Sequence, residues 1–240
     1  MSGERQSGRL SVGVIGSGPV GVAIAKALAN AGHELIGISA GSEESRDRVE
    51  AMLAEAPILG VPAIVEAAEL VILALPAHQI APTVAGLAEI RAWRAGQLVA
   101  HTAGEYGQSI LQPAALQGVI PLAIHPAMIF SGTSIDLERM KECYFAVAAP
   151  KVALPIAQAL VLEMGGEPIV IDDADRAAYF EAVSVAASFS ALVVNQSIGL
   201  LEGVGIDNAR DVLAPVVRSS VEQALAAGHR AIDPDELLES

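Results

Sequence analysis

Residues 10–21 read LSVGVIGSGPVG, and this stretch decides the fold. The short apolar run at residues 10–15 predicts a strand, and the residues from 20 to 31 predict a helix that Gly32 can end. Between them lies a glycine-rich turn, Gly16-Ser17-Gly18-Pro19-Val20-Gly21. A GxGxxG pattern that follows a strand and opens a helix indicates a dinucleotide-binding turn.

The three glycines of such a turn have different roles. Gly16 permits the tight bend, Gly18 lets the backbone approach a pyrophosphate, and Gly21 lets the helix pack closely on the strand. The helix N-terminus supplies unpaired N–H groups and a partial positive charge, and Pro19 suits its first turn. We therefore expect a nicotinamide dinucleotide to lie against Gly16, Ser17, Gly18, Pro19, Val20 and Gly21. The alternative is a turn that serves packing only.

The end of the second predicted strand, residues 34–39, bears on which dinucleotide is bound. Proteins that bind NAD usually carry Asp or Glu there. This chain has Ser39 and Ser42 instead, with Arg46 shortly after them. Hydroxyl groups and an arginine suit a 2′-phosphate, although the adjacent Glu43-Glu44 pair counts against one. We predict NADP, with NAD as the alternative; Arg46 could also simply solvate the following helix.

Apolar runs and helical stretches alternate along the next part of the chain. Further strands are predicted at residues 70–75, 97–101, 119–125, 143–148 and 168–171, with helices at 46–56, 80–90 and 153–164. Such alternation predicts an α/β fold with a Rossmann-type doubly wound parallel sheet.

The pattern changes after Asp172, where strand signals end. Residues 173–201 and 207–227 predict two helices. We expect a Rossmann-like dinucleotide-binding domain over residues 1–172. A smaller all-helical domain should follow over residues 173–240, for dimerisation or substrate binding.

Composition narrows the classes of partner. The net charge of −14 argues against a nucleic-acid partner, which would need a basic face. The single cysteine, Cys143, excludes an intramolecular disulfide, and no zinc motif is present, so no metal is expected. No signal-type apolar run precedes the glycine turn, which favours a cytoplasmic setting.

Residues 182–201 carry no charge, which raises the question of a membrane span. Serine, asparagine and glutamine side chains interrupt this segment, and acidic residues flank it. We expect a helix buried in a domain or dimer core, with no membrane contact.

Other candidate site residues come from predicted strand ends, which face the ligand crevice in this type of sheet. Leu75 and Pro76 end one strand and are expected beside the cofactor. His78 lies either near the nicotinamide ribose or in a solvent-facing loop.

Two histidines also stand at predicted strand ends. His101 and His125 are candidate proton donors to a carbonyl or imine carbon that receives a hydride, and Thr102 could assist by hydrogen bonding. The alternative for each histidine is a structural role.

The long helix adds a polar stripe. Ser184, Ser188 and Asn195 share one helical face, because they are spaced by four and seven residues. They are candidates for lining a substrate pocket; equally, they could bond to one another or to a partner helix.

Several stretches carry a resemblance to a known family. The chain resembles the 6-phosphogluconate-dehydrogenase-like superfamily and, within it, short bacterial proteins that pair a Rossmann-like domain with a helical domain of unknown function. The matching stretches are residues 13–31, 100–104, 125–126 with 130–132, 165–168, 179–192 and 213–217. The resemblance implies an NADP-linked oxidoreductase fold that is often dimeric through the helical domain.

The chain departs from this pattern at positions that bear on catalysis. Phe180 stands where the group usually has His, and Ala187-Ser188 stands where it has Ser-Asn. The catalytic lysine of the superfamily's hydroxyacid dehydrogenases has no match. These departures leave cofactor binding intact and put catalysis in question.

Three functions follow from these patterns. The first is an NADP-dependent reductase of a small carbonyl or imine substrate, acting as a homodimer. The second is a non-catalytic dinucleotide-binding protein that senses cofactor or metabolite level. The third is a reductase that passes hydride to another soluble cofactor, such as a deazaflavin.

Overall fold

The structure is a computed structural model that describes residues 8–228. The chain divides into two compact units between Val183 and Ser184, within a long helix. The sequence placed the boundary earlier, after Asp172, where the last strand has ended. The outermost residues of both predicted domains, 1–7 and 229–240, lie outside the described residues.

The first unit is built on a seven-stranded sheet, and this confirms the predicted fold class. The spatial order of the strands is β2-β1-β3-β4-β5-β6-β7. Their bounds are β1 Ser11–Ile15, β2 Glu34–Ser39, β3 Leu70–Leu73, β4 Leu98–His101, β5 Ile120–Pro126, β6 Tyr144–Ala148 and β7 Glu167–Val170.

The sheet is not parallel throughout, which corrects one detail of the prediction. Strands β1 to β5 pair in parallel, but β5 and β6 pair antiparallel, with His125 opposite Ala146. Only one short helix, Ile135–Met140, lies in the connection from β5 to β6. A parallel return needs a crossover, usually a helix packed along the sheet, so this connection brings the chain back in the opposite direction.

Helices cover both faces of the sheet. In chain order they are α1 Pro19–Asn30, α2 Glu43–Met52, α3 Val61–Ala67, α4 Ala77–Glu89, α5 Gln112–Ala115, α6 Ile135–Met140, α7 Leu154–Glu163, α8 Arg176–Gly203 and α9 Ala209–Ala227. The sequence did not predict α3, α5 and α6. These helices span two turns or less, which is too short to show a helical period.

The central strands are apolar because both of their faces are covered. Every residue of β1 and of β3 is buried. One face packs against α1 and α7, through residues such as Val22 and Leu160, and the other against α3 and α4, through residues such as Ile64 and Val84. Continuous apolar strands are typical of parallel sheets buried on both sides.

The order of the strands places the ligand crevice. The chain runs outward from β1 to β2, then returns to the other side of β1 as β3. Ligands of open α/β sheets bind at the carboxyl ends of the strands where the order reverses in this way. In this chain that point lies between β1 and β3, directly beyond Ile15 and Leu73.

The second unit contains the continuation of α8 and helix α9. None of the most apolar 18-residue window of residues 173–203 is buried, although its mean hydropathy is 1.7. By length and composition alone this helix could cross a membrane. The single chain therefore does not bury this segment in a domain core, and burial in a dimer core stays a prediction.

Candidate functional site

A cleft of about 490 Å³ lies at the carboxyl ends of β1, β2 and β3. Its size falls within the roughly 300–1,000 Å³ that small-molecule sites occupy. Six of the predicted cofactor-binding residues line it: Gly16, Ser17, Gly18, Ser39, Ser42 and Leu75. Gln79 and Thr83 of α4 line the same cleft. The cleft thus coincides with the crevice that the strand order indicates.

Internal packing accounts for the first and last glycines of the turn. Gly16 has φ +104°, and a Cβ there would overlap the Ala74 carbonyl oxygen. A Cβ on Gly21 would overlap the Gly16 carbonyl oxygen. Both positions therefore need glycine so that α1 can start directly against β1 and the end of β3.

Gly18 is different, because nothing inside the chain requires a glycine there. Its φ of −64° and ψ of 174° suit any residue, and it caps the N-terminus of α1. A Cβ at this position would meet no atom within 4 Å. The side of the turn that lines the cleft is therefore left open by the protein itself.

Two serines connect the second strand to the turn. Ser39 Oγ accepts a hydrogen bond from the Gly16 N–H at 2.9 Å. Ser42 Oγ accepts one from the Ser45 N–H at 3.2 Å, and Ser45 Oγ accepts one from the Ser42 N–H at 3.0 Å, which forms a capping box for α2. These bonds fix the N-terminus of α2 at the rim of the cleft.

Arg48 rather than Arg46 lines the cleft. Arg48 Nη1 donates to the Ser17 carbonyl oxygen at 3.0 Å, and its Nη2 donates to Glu44 Oε1 at 2.7 Å. Arg46 is exposed and is not among the lining residues. Helical spacing is the signal that the sequence offered: Arg48 follows Ser45 by three residues and so shares its face.

The remaining predicted cofactor residues do not line this cleft. Pro19, Val20 and Gly21 form the first turn of α1. Pro76 is exposed and precedes α4, and His78 is exposed in the first turn of that helix.

His125, at the end of β5, forms a pair with Tyr179. The two side chains are joined by a hydrogen bond of 2.9 Å between Nδ1 and the phenol oxygen. Burial and the positive charge of Arg176 lower the pKa of His125 to about 4, and burial raises the pKa of Tyr179 to about 12. Both groups are then neutral at pH 7. In the tautomer that carries the imidazole proton on Nε2, the phenol donates to Nδ1.

The ring of Phe180 packs on the same histidine. Phe180 meets His125 edge to face, with ring centroids 5.9 Å apart. A Cβ on Gly104 would overlap Phe180 and would lie 2.9 Å from His125 Nε2. Gly104 therefore lets both rings pack against the segment that follows β4.

One ring nitrogen of His101 is hydrogen-bonded within its own chain. It is fully buried, and its Nε2 donates to the Gly107 carbonyl oxygen at 2.8 Å. Burial lowers the pKa of His101 to about 4, so the ring is neutral at pH 7 and Nδ1 carries a lone pair. This arrangement favours a structural role over proton donation. Thr102, which follows it, is half-buried.

The polar stripe of α8 falls in the second unit. Ser184 is half-buried, and Ser188 and Asn195 are exposed. Within residues 8–228, no group of three or more His, Cys, Asp or Glu side chains is placed to hold a metal ion.

The lowered pKa of His101 predicts a stability change with pH. An unfolded histidine binds a proton near pH 6.5, whereas folded His101 binds one only near pH 4, so stability is present above pH 6.5 and is lost as the pH falls towards 4. Between pH 7 and pH 5 the free energy of unfolding should fall by about 2 kcal/mol more in the wild type than in His101→Asn.

Urea unfolding at the two pH values measures this difference. His78→Asn, which removes an exposed histidine, is the control and should keep the wild-type pH dependence. Parallel pH dependences for wild type and His101→Asn would show that His101 is protonated in the folded state.

Comparisons with known proteins agree with this architecture. Residues 1–126 match a family model described as a Rossmann-like domain, and residues 143–232 match one described as a domain of unknown function (DUF2520). No curated protein sequence matches the chain.

Solved structures share the fold at low sequence identity. A Bacteroides fragilis protein described as an NADP oxidoreductase has a TM-score of 0.72 at 20% identity, over 90% of this chain and 80% of that one. The 1-pyrroline-5-carboxylate reductase of Streptococcus pyogenes has a TM-score of 0.68 at 19% identity, over 97% of this chain and 85% of that one. An imine reductase of Streptomyces aurantiacus has a TM-score of 0.65 at 22% identity, over 88% of this chain and 73% of that one. The chain belongs to the family of proteins with the Rossmann-like domain, here followed by the DUF2520 domain.

Proposed function

We propose that the chain is an NADP-dependent oxidoreductase that transfers a hydride between the dinucleotide and a small carbonyl or imine compound. The observation that carries the proposal is the open position at Gly18. Packing explains Gly16 and Gly21, but neither packing nor conformation explains a glycine at residue 18. A ligand that approaches the backbone in the cleft does explain it.

The residues around Gly18 fit a dinucleotide pyrophosphate. The first N–H groups of α1 have no acceptors within the helix, and they carry its partial positive charge. A chain with a net charge of −14 needs such a local site to hold an anion. The structure of a Plasmodium falciparum pyrroline carboxylate reductase with NADP bound shares this fold, with a TM-score of 0.63. This likeness supports the same class of ligand.

The rim of the cleft favours NADP over NAD. Ser39, Gly41 and Ser42 line it where NAD-binding proteins usually have an acidic residue. Arg48 supplies a guanidinium at the same rim, held by Ser17 and Glu44. A 2′-phosphate can accept charge-assisted hydrogen bonds from this guanidinium.

We assign to His125 the role of donating a hydrogen bond to the carbonyl oxygen or imine nitrogen of the substrate. The bound nicotinamide would supply or accept the hydride. When Tyr179 donates to Nδ1, the proton of His125 is on Nε2, and the low pKa keeps the ring neutral. A neutral imidazole N–H can polarise a carbonyl by donating a hydrogen bond.

A methyl group at residue 18 tests the proposal. Gly18→Ala should weaken NADPH binding at least about tenfold, because the added carbon occupies the space that the pyrophosphate needs. Its thermal stability should change little, since this carbon meets no atom of the protein. NADPH fluorescence titration and thermal unfolding measure the two effects.

Gly86→Ala is the matched control, because it also adds a methyl group where nothing lies within 4 Å, but in the middle of α4. It should bind NADPH as the wild type does. Equal affinities for both variants and the wild type would refute the assigned cofactor site. If NADPH binds tightly but no compound in a panel of 2-oxo acids, aldehydes and imines oxidises it, the result favours a dinucleotide sensor or a reductase that passes hydride to another soluble cofactor.

Arg48 and Arg46 form a second matched pair. Arg48→Met should weaken NADPH binding about tenfold and leave NADH binding nearly unchanged, because only the 2′-phosphate loses its charge-assisted bonds. Arg46→Met should change neither affinity, since Arg46 is exposed outside the cleft. Equal losses of NADPH affinity in the two variants would show that Arg48 does not select the phosphate.

We also propose that the second unit pairs with a second copy of the chain. Large apolar side chains of α8 are exposed, including Phe189 at 61%, Leu192 at 62% and Leu200 at 68%. Apolar patches of this kind mark interaction sites, and closed symmetric dimers are the commonest way to cover them. The acidic flanks of the segment disfavour an anionic membrane surface.

Sedimentation at micromolar concentration tests the dimer. The wild type should sediment as a dimer, and Phe189→Glu should be monomeric, because the charge would be buried in the interface. A wild-type monomer that binds neutral lipid vesicles would show that the apolar face meets a membrane instead.

A further inference from the structure

Four buried side-chain atoms in the described part of the chain have no hydrogen-bond partner, and they come from only three residues. They are Nη1 and Nη2 of Arg176, Nδ1 of His101 and Oε1 of Gln108. Leaving such groups unpaired destabilises the folded chain, and the cost is greatest for a charged group. The arrangement therefore calls for a partner that supplies both acceptors and donors.

Hydrogen bonds that involve these three residues and their chain neighbours bring them to one part of the first unit. His101 Nε2 donates to the carbonyl oxygen of Gly107, the residue before Gln108. The Gln108 N–H donates to Asp173 Oδ1 at 3.0 Å, and Asp173 lies one helical turn before Arg176. The loop after β4 and the start of α8 are thus joined at this point.

Arg176 itself is an unusual side chain. It is fully buried, and its Nε donates to the Ile171 carbonyl oxygen at 3.2 Å. That bond fixes Nε of the guanidinium, but both terminal nitrogens, Nη1 and Nη2, have no protein acceptor. A buried guanidinium is normally paired with a carboxylate. The nearby carboxylate of Asp173 is instead engaged by the N–H groups of Gln108 and Ser109.

The unpartnered atoms lie beside the candidate reaction site. Arg176 precedes Tyr179 by three residues on α8, and Tyr179 is hydrogen-bonded to His125. The charge of Arg176 also contributes to the lowered pKa of both His101 and His125. His101 and His125 also end neighbouring parallel strands, β4 and β5. The four atoms and the His125–Tyr179 pair therefore belong to one region at the carboxyl edge of the sheet.

We propose that Arg176, His101 and Gln108 form a binding site for a short carboxylate that carries a hydroxyl or amino group on the adjacent carbon. The carboxylate accepts from Nη1 and Nη2 of Arg176 in the bidentate geometry that a guanidinium favours. A 2-hydroxyl group donates its one hydrogen to Gln108 Oε1, whereas a 2-amino group has enough N–H groups to donate to both Gln108 Oε1 and His101 Nδ1.

This inference rests on the proposed oxidoreductase function and names its substrate class. The ligand is the reduced, 2-hydroxy or 2-amino form of a 2-oxo or 2-imino acid. The 2-hydroxy form has an O–H donor that a 2-oxo acid lacks, and the 2-amino form has more N–H donors than a 2-imino acid. Because Arg176 is enclosed, the ligand reaches it only when the covering side chains move, and the bound carboxylate is shielded from water.

Three small probe molecules separate the contribution of the negative charge to binding from that of the hydroxyl group. Lactate has the carboxylate and the hydroxyl, propionate lacks the hydroxyl, and lactamide lacks the negative charge. Binding to the full-length protein is measured by saturation-transfer NMR, with and without saturating NADP. Lactate should bind roughly tenfold more tightly than propionate, and lactamide should show no binding at the same concentrations.

Variants of Arg176 and Gln108 show which residue binds the carboxylate and which binds the hydroxyl group. Arg176→Met should weaken lactate and propionate binding roughly 10- to 100-fold, whereas Arg139→Met, at an exposed arginine, should have no effect. Gln108→Met keeps the size of the side chain and its backbone hydrogen bond to Asp173. It should lower lactate affinity towards that of propionate, a result that does not depend on the folding of the Arg176 variant.

Several results would overturn the inference. They are lactamide binding as tightly as lactate, lactate binding that survives Arg176→Met, and inorganic phosphate binding as tightly as lactate, which would indicate a general anion site. If the protein binds NADPH but not lactate, the proposed carboxylate site is refuted and the proposed cofactor site is not. If the protein binds lactate but not NADPH, the proposed cofactor function is refuted and the proposed carboxylate site is supported.

Discussion

The close approach of the N-terminus of α1 to the ends of β1 and β3 is the constraint on which the structure depends. Gly16 and Gly21 permit this approach, because a Cβ on either residue would overlap a backbone carbonyl oxygen. The approach aims the first N–H groups of the helix into the cleft where the strand order reverses. With the helix held there, Gly18 can present bare backbone to a ligand.

The sequence predicted the sheet and the main helices because long apolar runs and glycine signals are local. It could not give the direction of β6, since that depends on how the chain returns after β5. It predicted that the apolar part of α8 is buried in a domain or dimer core; the single chain leaves this part exposed, and burial in a dimer core stays a prediction. Burial of that kind depends on what a helix packs against, and composition does not reveal it.

Sequence reasoning predicted correctly that part of the glycine turn and two serines lie together at one cleft, but it did not identify all of the charged side chains there. The glycine turn, Ser39 and Ser42 were predicted to lie together, and they do. Arg48 was missed because proximity along the chain favoured Arg46, although only Arg48 faces the cleft. Arg176 and Gln108 were not singled out at all: nothing in their local sequence shows that folding buries their polar atoms without protein partners.

The central claim is that the open side of the glycine turn holds a dinucleotide. A crystal structure of the full-length protein grown with NADP tests it most directly. The account predicts the pyrophosphate within hydrogen-bond distance of the first N–H groups of α1, over Gly18, with the 2′-phosphate near Arg48. A dinucleotide bound elsewhere, or none at a saturating concentration, would contradict it.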